Sequence, residues 1–242
     1  MVGGVPGNFI SIIQARLTSK RLPNKLLESV GQMSQIDWVL NYTKQLNTSK
    51  NIFAIPNNIE NDILDNYLLE NQQFVHRSSE ENVLQRYREV LENNRCKYFI
   101  RITADDPFKC PDIINKMIDI VERKNLISLS NTYKKTFPDG LDVEIFEKDY
   151  FLNKTKNFKR SDYLEHVTLG LYNKNIKDIN NYEMDRNLNS LRLTLDNEKD
   201  LTMLRKIGNN LNLNYTFEHL IDTINKIFNL NYKIGKYYVS KN

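Results

Sequence analysis

Over the first 130 residues, short apolar runs alternate with segments of helical period. Phe9–Gln14 is a β-branched run of strand length, residues 36–46 read as a helix, and 52–55 as a second strand. Ile63, Leu64, Tyr67 and Leu68 then share one helical face, and residues 74–76 make a short strand. Val83, Leu84, Tyr87, Val90 and Leu91 form a second helical stripe. Ser78 with Glu81 three positions on predicts a capping box at that helix's start. Tyr98–Thr103 is a further buried-strand run, Pro111 opens a helix at its first position, and 126–129 closes the series.

Strands alternating with helices predict right-handed crossovers, and so a three-layer α/β/α fold with a mainly parallel, Rossmann-like sheet. Ligands of such sheets bind beyond the carboxyl ends of the strands. From about residue 131 the pattern changes. Residues 136–140 read as a turn, 141–146 alternate like a strand, 161–172 look helical, and 173–189 are polar without a clear period. Residues 191–195 read as a clean strand, with helices at 198–211 and 216–228. The expected organisation is a leader at 1–8 and one domain at 9–242, with 131–189 as an insertion over the acceptor site or at a dimer contact.

Composition narrows this little. Hydrophobic residues make up 40% and charged residues 26%, ordinary for a globular chain, and the net charge of +4 comes from interspersed signs with no basic run. A nucleic-acid footprint is not indicated. Cys96 and Cys110 make neither a disulfide framework nor a zinc cluster, so a reduced cytoplasm is the default location. The longest apolar runs are strand-length, and no membrane span is expected. The first eight residues lack the basic and apolar regions of a signal peptide.

The chemistry concentrates at strand ends. After Phe9–Gln14 comes Q-A-R-L-T-S-K-R-L-P-N-K, residues 14–25, with Arg16, Lys20, Arg21 and Lys25 interleaved with Thr18 and Ser19. Backbone N–H groups, hydroxyls and several cations at a sheet's binding edge suit a polyphosphate. On charge alone, a basic surface loop explains the segment equally well. The Gly-x-Gly-x-x-Gly and Walker fingerprints are absent, which disfavours a nicotinamide-dependent dehydrogenase. Arg101–Pro107 reads R-I-T-A-D-D-P and 193–200 reads L-T-L-D-N-E-K-D, each placing acids at a strand end, where they are hard ligands for Mg2+ or helix and turn caps.

The loop resembles the signature of the cytidylyltransferase family that activates acidic sugars, in particular its spore-coat polysaccharide branch, Q-A-R-hydrophobic-G-S-x-R-L-P-G-K. Arg16, Ser19, Arg21, Leu22, Pro23 and Lys25 match, while Thr18 and Asn24 stand where the family has Gly. F-V-H-R-S-S-E-E-N-V-L-Q-R-Y at 74–87 resembles V-F-R-G-S-E-D-D-V-L-x-R-Y, with Ser78 replacing Gly and Arg86 reading as a solvated side chain. R-I-T-A-D-D-P resembles R-x-T/Q-G-D-x-P, with Ala104 replacing Gly. P-D-G-L-D-V-E at 138–144 matches without departure, and Glu165-His166-Val167-Thr168 matches R-E-H-V-T with Leu164 in place of Arg. The resemblance runs from about residue 9 to 228.

The resemblance implies transfer of a cytidylyl group from CTP to a sugar-type acceptor. Gln14, Ala15, Arg16, Ser19, Arg21, Lys25, Ser79 and Asn82 would bind CTP. Asp105 and Asp196 would hold the catalytic Mg2+ and lie close in space. Asp142, Glu144, Glu165 and His166 would meet the acceptor. Arg16, Lys25, Asp105 and Asp196 would carry the chemistry, in a homodimer. His76 and His219 read as structural. The four Gly replacements also fit a catalytically impaired homologue that only binds or scaffolds; two retained acids favour the enzyme.

Overall fold

The computed structural model describes residues 7–19 and 21–241. Residues 1–6 of the expected leader, and Lys20 of the basic loop, lie outside the described residues. The strands are β1 (Phe9–Gln14), β2 (Ser29–Val30), β3 (Met33–Ser34), β4 (Lys50–Pro56), β5 (Phe74–Ser78), β6 (Tyr98–Thr103), β7 (Ser128–Ser130), β8 (Glu144–Glu147), β9 (Asn180–Met184) and β10 (Tyr237–Lys241). The helices are α1 (Gln35–Thr43), α2 (Asp62–Glu70), α3 (Val83–Asn93), α4 (Pro111–Lys124), α5 (Lys148–Thr155), α6 (Ser161–Glu165), α7 (Leu169–Asn175), α8 (Glu198–Gly208) and α9 (Phe217–Phe228).

Eight strands form one sheet in the order β10-β9-β7-β8-β6-β1-β4-β5, and a β2–β3 hairpin stands apart. β1 pairs in parallel with β4 and β6, and β4 with β5, whereas β8 runs antiparallel to both β6 and β7. The apolar residues of the central strands split between two cores. Ile13, Phe53 and Ile100 pack with α1, α2, α4, α8 and α9 on one face. Ile10, Ile12, Ile52 and Phe99 pack with α3, α5 and α7 on the other. The fold is therefore the expected three-layer α/β/α with a mainly parallel sheet. Segment 131–189 is woven into it, with β8 wedged between β6 and β7 and β9 beyond them.

Three expected elements differ. The helix after β5 starts at Val83, where Asn82 is the N-cap and accepts from the Gln85 N–H at 2.9 Å, so the cap lies four residues past Ser78. The expected helix at 161–172 breaks into α6 and α7 around Val167, a fully buried β-branched residue held at φ 48°. Such a conformation costs about 1–3 kcal/mol and is found where surrounding packing enforces it. Residues 191–195 form no regular strand. Their backbone partners are Asp139 and Asp105, and the facing segment holds Pro138, which has no N–H, and Gly140 at φ 103°. His76 pairs with Glu89, and His219 closes a capping box with Thr216, both structural as expected.

Candidate active site

The carboxyl ends of β1, β4, β5 and β6 open on one edge, as parallel pairing requires. A cavity of about 520 Å³ lies there, bounded by the loop after β1, the start of α3, the β6 end, α6 and Asp196. Its floor is set by Gln14, whose Oε1 accepts from Arg101 Nη2 at 3.1 Å and the Tyr87 hydroxyl at 3.4 Å.

The basic loop closes on a single carbonyl. Leu17 O accepts the N–H groups of Ser19 (2.8 Å) and Asn24 (3.2 Å), while the Leu17 N–H donates to Asn61 Oδ1 at 2.9 Å. Leu17 and Leu22 are buried as anchors, and Arg16, Ser19 and Arg21 line the cavity. Asn24 then takes φ 56°, ψ 22°, and turns the chain into the 3-10 helix Lys25–Leu27. Asn is among the few non-glycine residues that visit this left-handed region readily. At Thr18, Ser78 and Ala104 the backbone φ is not positive, so the lost glycines are not needed for conformation. Thr18 also gains a contact, its hydroxyl donating to Glu80 Oε1 at 2.5 Å. Asn24→Gly should accordingly change stability by only a few tenths of a kcal/mol, whereas Asn24→Ala should cost about 1–2 kcal/mol in chemical denaturation.

Lys25 is where the turn leads. Its nearly buried ammonium donates to Leu195 O (2.7 Å), Asp196 Oδ1 (3.1 Å) and Asp105 Oδ2 (3.3 Å). The two acids thus converge on one cation, and the reason is a backbone bond: the Leu195 N–H donates to Asp105 O at 3.0 Å. Asp196 also binds Arg21 (3.0 Å) and Arg192 (2.6 Å), and its N–H is held by Asp200 Oδ2 at 3.0 Å. Burial works to raise the Asp196 pKa, but Lys25, Arg192 and Arg21 prevail and hold it below the usual carboxylate value. It is ionised at neutral pH, and its stabilising effect is lost as pH falls below about 4.

Among the described residues no three His, Cys, Asp or Glu side chains form a metal cage. Two carboxylates beside a cationic loop are nonetheless a donor set that fits Mg2+, which takes oxygen ligands, keeps several waters and needs only one or two carboxylates from the protein.

The remaining expected residues fall into two groups. Ala15, Glu165 and His166 line the large cavity. Asp142 lines an adjoining cavity of about 230 Å³ with Arg101, Thr103, Asp105, Asp106 and Thr194. Ser79 and Asn82 are not among the lining residues; Ser79 Oγ accepts the Asn82 N–H at 3.1 Å, and Glu80 and Val83 beside them form the wall. Glu144 lines neither cavity. It is 2% exposed, and its carboxylate accepts from Arg101 (2.6 Å), Tyr172 (2.6 Å) and Thr168 (3.1 Å). Its place in the site is indirect: Glu144 holds Arg101, and Arg101 holds Gln14.

Sequence reasoning missed two buried cations. Lys109, fully buried, binds Asp106 (2.8 Å), Asp142 O (2.6 Å) and Gly140 O (3.3 Å). Arg86, expected in solvent, is 2% exposed and lines the large cavity. Its place on the apolar stripe of α3, between Val83 and Tyr87, was the available signal.

The profile of the cytidylyltransferase family matches residues 10–214. The chain is 30% identical over 226 residues to an uncharacterized protein, MJ1063, of Methanocaldococcus jannaschii, covering 90% of each chain. It is 29% identical over 172 residues to the spore coat polysaccharide biosynthesis protein SpsF of Bacillus subtilis, covering 69% of this chain and 70% of that one. Among solved structures, a cytidylyltransferase from Leptospira borgpetersenii superposes with a TM-score of 0.85 at 23% identity, over 95% of this chain and all of that one. CMP:2-keto-3-deoxy-manno-octonic acid synthetase complexed with CTP superposes with a TM-score of 0.62 at 15% identity, over 82% and 97%. With the profile spanning most of its length and its sheet edge built as described, the chain belongs to the cytidylyltransferase family.

Proposed function

We propose that this protein transfers the cytidylyl group of CTP to a sugar-type acceptor, with Mg2+ as cofactor, in the synthesis of a surface polysaccharide or glycan. The observation that carries this reading is the convergence of Asp105 and Asp196 on Lys25, facing the Arg16 and Arg21 loop. An acceptor oxygen attacks the α-phosphorus, an O–P bond forms, the bond to the β-phosphate oxygen breaks, and pyrophosphate leaves. Arg16, Arg21 and Lys25 hold the triphosphate and take up the charge of the departing pyrophosphate. Asp105 and Asp196 would hold Mg2+, which would neutralise phosphate charge and activate the attacking oxygen, a hydroxyl of a sugar acid or a phosphate oxygen of a phosphate ester.

The acceptor lies on the side of Asp142, Glu165 and His166, and is a 2-keto sugar acid or a sugar or polyol phosphate. The names of two similar proteins, a spore coat polysaccharide biosynthesis protein and a CMP-sugar-acid synthetase, support that range. A homodimer formed through 131–189 belongs to the same proposal. The left-handed Asn24 favours a working site over a catalytically impaired homologue, since it preserves the turn that delivers Lys25. Calorimetric titration tests the nucleotide: CTP with Mg2+ should bind with a Kd between about 1 μM and 1 mM, a usual substrate range. Binding of NAD+ in preference to CTP would overturn the assignment.

A further inference from the structure

Asn61 has no part in the transfer chemistry above, yet it is a fully buried polar residue. It stands at the N-cap position of α2 without capping that helix. An asparagine there ordinarily accepts an N–H from its own first turn. Here its Oδ1 accepts instead from the Leu17 N–H, 44 positions away, at 2.9 Å. Its Nδ2 donates to Asn58 Oδ1, Asn58 Nδ2 donates to Glu80 Oε2 at 2.6 Å, and Glu80 Oε1 accepts from the Thr18 hydroxyl. Thr18 follows Leu17 in the chain, so these bonds close into a ring.

The ring joins the loops that leave three neighbouring strands, β1, β4 and β5. Its outer side is anchored: Arg77 Nη2 donates to Asn58 O at 2.7 Å, and the same guanidinium pairs with Asp62 (2.6 Å) and Asp65 (2.9 Å) of α2. Its inner side is Leu17, a buried residue whose backbone groups are all committed, the N–H to Asn61 and the carbonyl to Ser19 and Asn24. Arg16 and Thr18, on either side of this fixed point, line the large cavity, as do Ser19 and Arg21, whereas Asn58 and Asn61 do not. The two amides therefore act on the cavity only through the loop. Glycine at position 18, as in the family signature, could not close the ring. Ordering a loop when a ligand arrives costs affinity, and a loop already held in its bound course avoids that cost.

Resting on the CTP assignment, we propose that Asn61, together with Asn58, is a positioning residue for the triphosphate. The ring fixes the course of the loop after β1 before CTP arrives, so that Arg16, Ser19 and Arg21 meet the phosphates already in place.

The test compares the full-length protein with Asn61→Leu and Asn58→Ala, by NMR-detected amide hydrogen exchange without nucleotide and by calorimetric titration with CTP and Mg2+. Asn61→Leu keeps the size of the side chain and leaves the Leu17 N–H unpaired. It should speed exchange at the Leu17, Ser19 and Asn24 amides by about tenfold, leave β1 and β6 as they were, and weaken CTP by about tenfold. Asn58→Ala opens the ring but spares the Leu17 bond, so both effects should be about threefold, and it decides the matter if the Leu variant does not fold. Faster exchange at the loop with CTP affinity within about twofold of the unmodified protein overturns the proposal. So does a rise in exchange that is no larger at the loop than in β1 and β6, which would mark a general structural brace. Failure of the unmodified protein to bind CTP at all would instead remove the functional assignment, and the proposal with it, whatever the exchange rates.

Discussion

Asp105→Asn should lower turnover by about a thousandfold or more while leaving the melting temperature nearly unchanged. The first half follows from charge. The substitution removes one of the two anions assigned to Mg2+, and electrostatic groups aimed at a transferring phosphoryl centre have effects of about 10²–10³ or greater in kcat. The second half follows from connectivity. The Asp105 side chain is 39% exposed and its hydrogen-bond partner is Lys25. Lys25 keeps Asp196 and Leu195 O when Asp105 loses its charge. The bond that ties the two strand ends together uses the Asp105 carbonyl, which the substitution does not touch. Asp196→Asn should be equally inactive but also less stable, because three cations, Arg21, Lys25 and Arg192, pair with that carboxylate. Near-normal turnover of either variant, by pyrophosphate release, would remove that residue from its assigned role.

Lys109→Met should destabilise the protein by about 3–5 kcal/mol, the range for breaking a buried ion pair from one side. That is a large fraction of the roughly 5–15 kcal/mol by which a domain is stable. The variant leaves Asp106, 3% exposed, and the carbonyls of Gly140 and Asp142 without their ammonium donor. Burial pushes the Asp106 carboxyl up to about 7, with Lys109 opposing and Asp105 adding to the rise. Without Lys109 the opposition is gone and the value rises further. A raised carboxyl pKa means the folded state keeps a proton that the unfolded state has lost above about 4. Stability therefore falls as pH rises through that window. Urea midpoints of the variant should recover on moving from about pH 8 to about pH 6, and more than those of the unmodified protein. A cost below about 1 kcal/mol, or an opposite pH trend, would show that the pair is not what holds the 140–142 segment.

The parts of the fold legible in the sequence are those where one physical cause dominates. β1, β4 and β6 are largely buried on both faces, so their residues are mainly apolar, with Ser11 and Arg101 the interruptions within β1 and β6, and the runs survive without context. β9 has no such signature. Asn180, Asn181 and Glu183 are buried polar residues, and Glu183 is satisfied by Tyr238 and Ser240 of β10, fifty-odd positions away. A strand whose inward groups are polar looks like a loop until its partner is known. The same long reach hid the fate of 191–195, whose apolar alternation is real but whose neighbour, Asp139-Gly140, cannot continue a ladder.

At the site, the loop cations and the two acids were visible because their type and their position at strand ends both point to phosphate and metal. The supporting groups were not. Glu144 looked like an acceptor ligand because strand alternation places it on the face of Asp142. Only the structure shows its carboxylate closed off by Arg101, Tyr172 and Thr168. Arg86 and Lys109 look like surface charges in a linear reading, since burial of a cation is decided by what packs over it. The glycine replacements ran the other way. In sequence they also fit a catalytically impaired homologue, whereas the left-handed Asn24 keeps the turn that leads into Lys25.

Pyrophosphate release from CTP and Mg2+, measured against 2-keto sugar acids and against sugar or polyol phosphates, tests the central claim most directly. The expected result is release that depends on CTP, on Mg2+ and on one of these acceptor classes, and that disappears in Asp105→Asn. Tight CTP binding with no pyrophosphate from either class would contradict it.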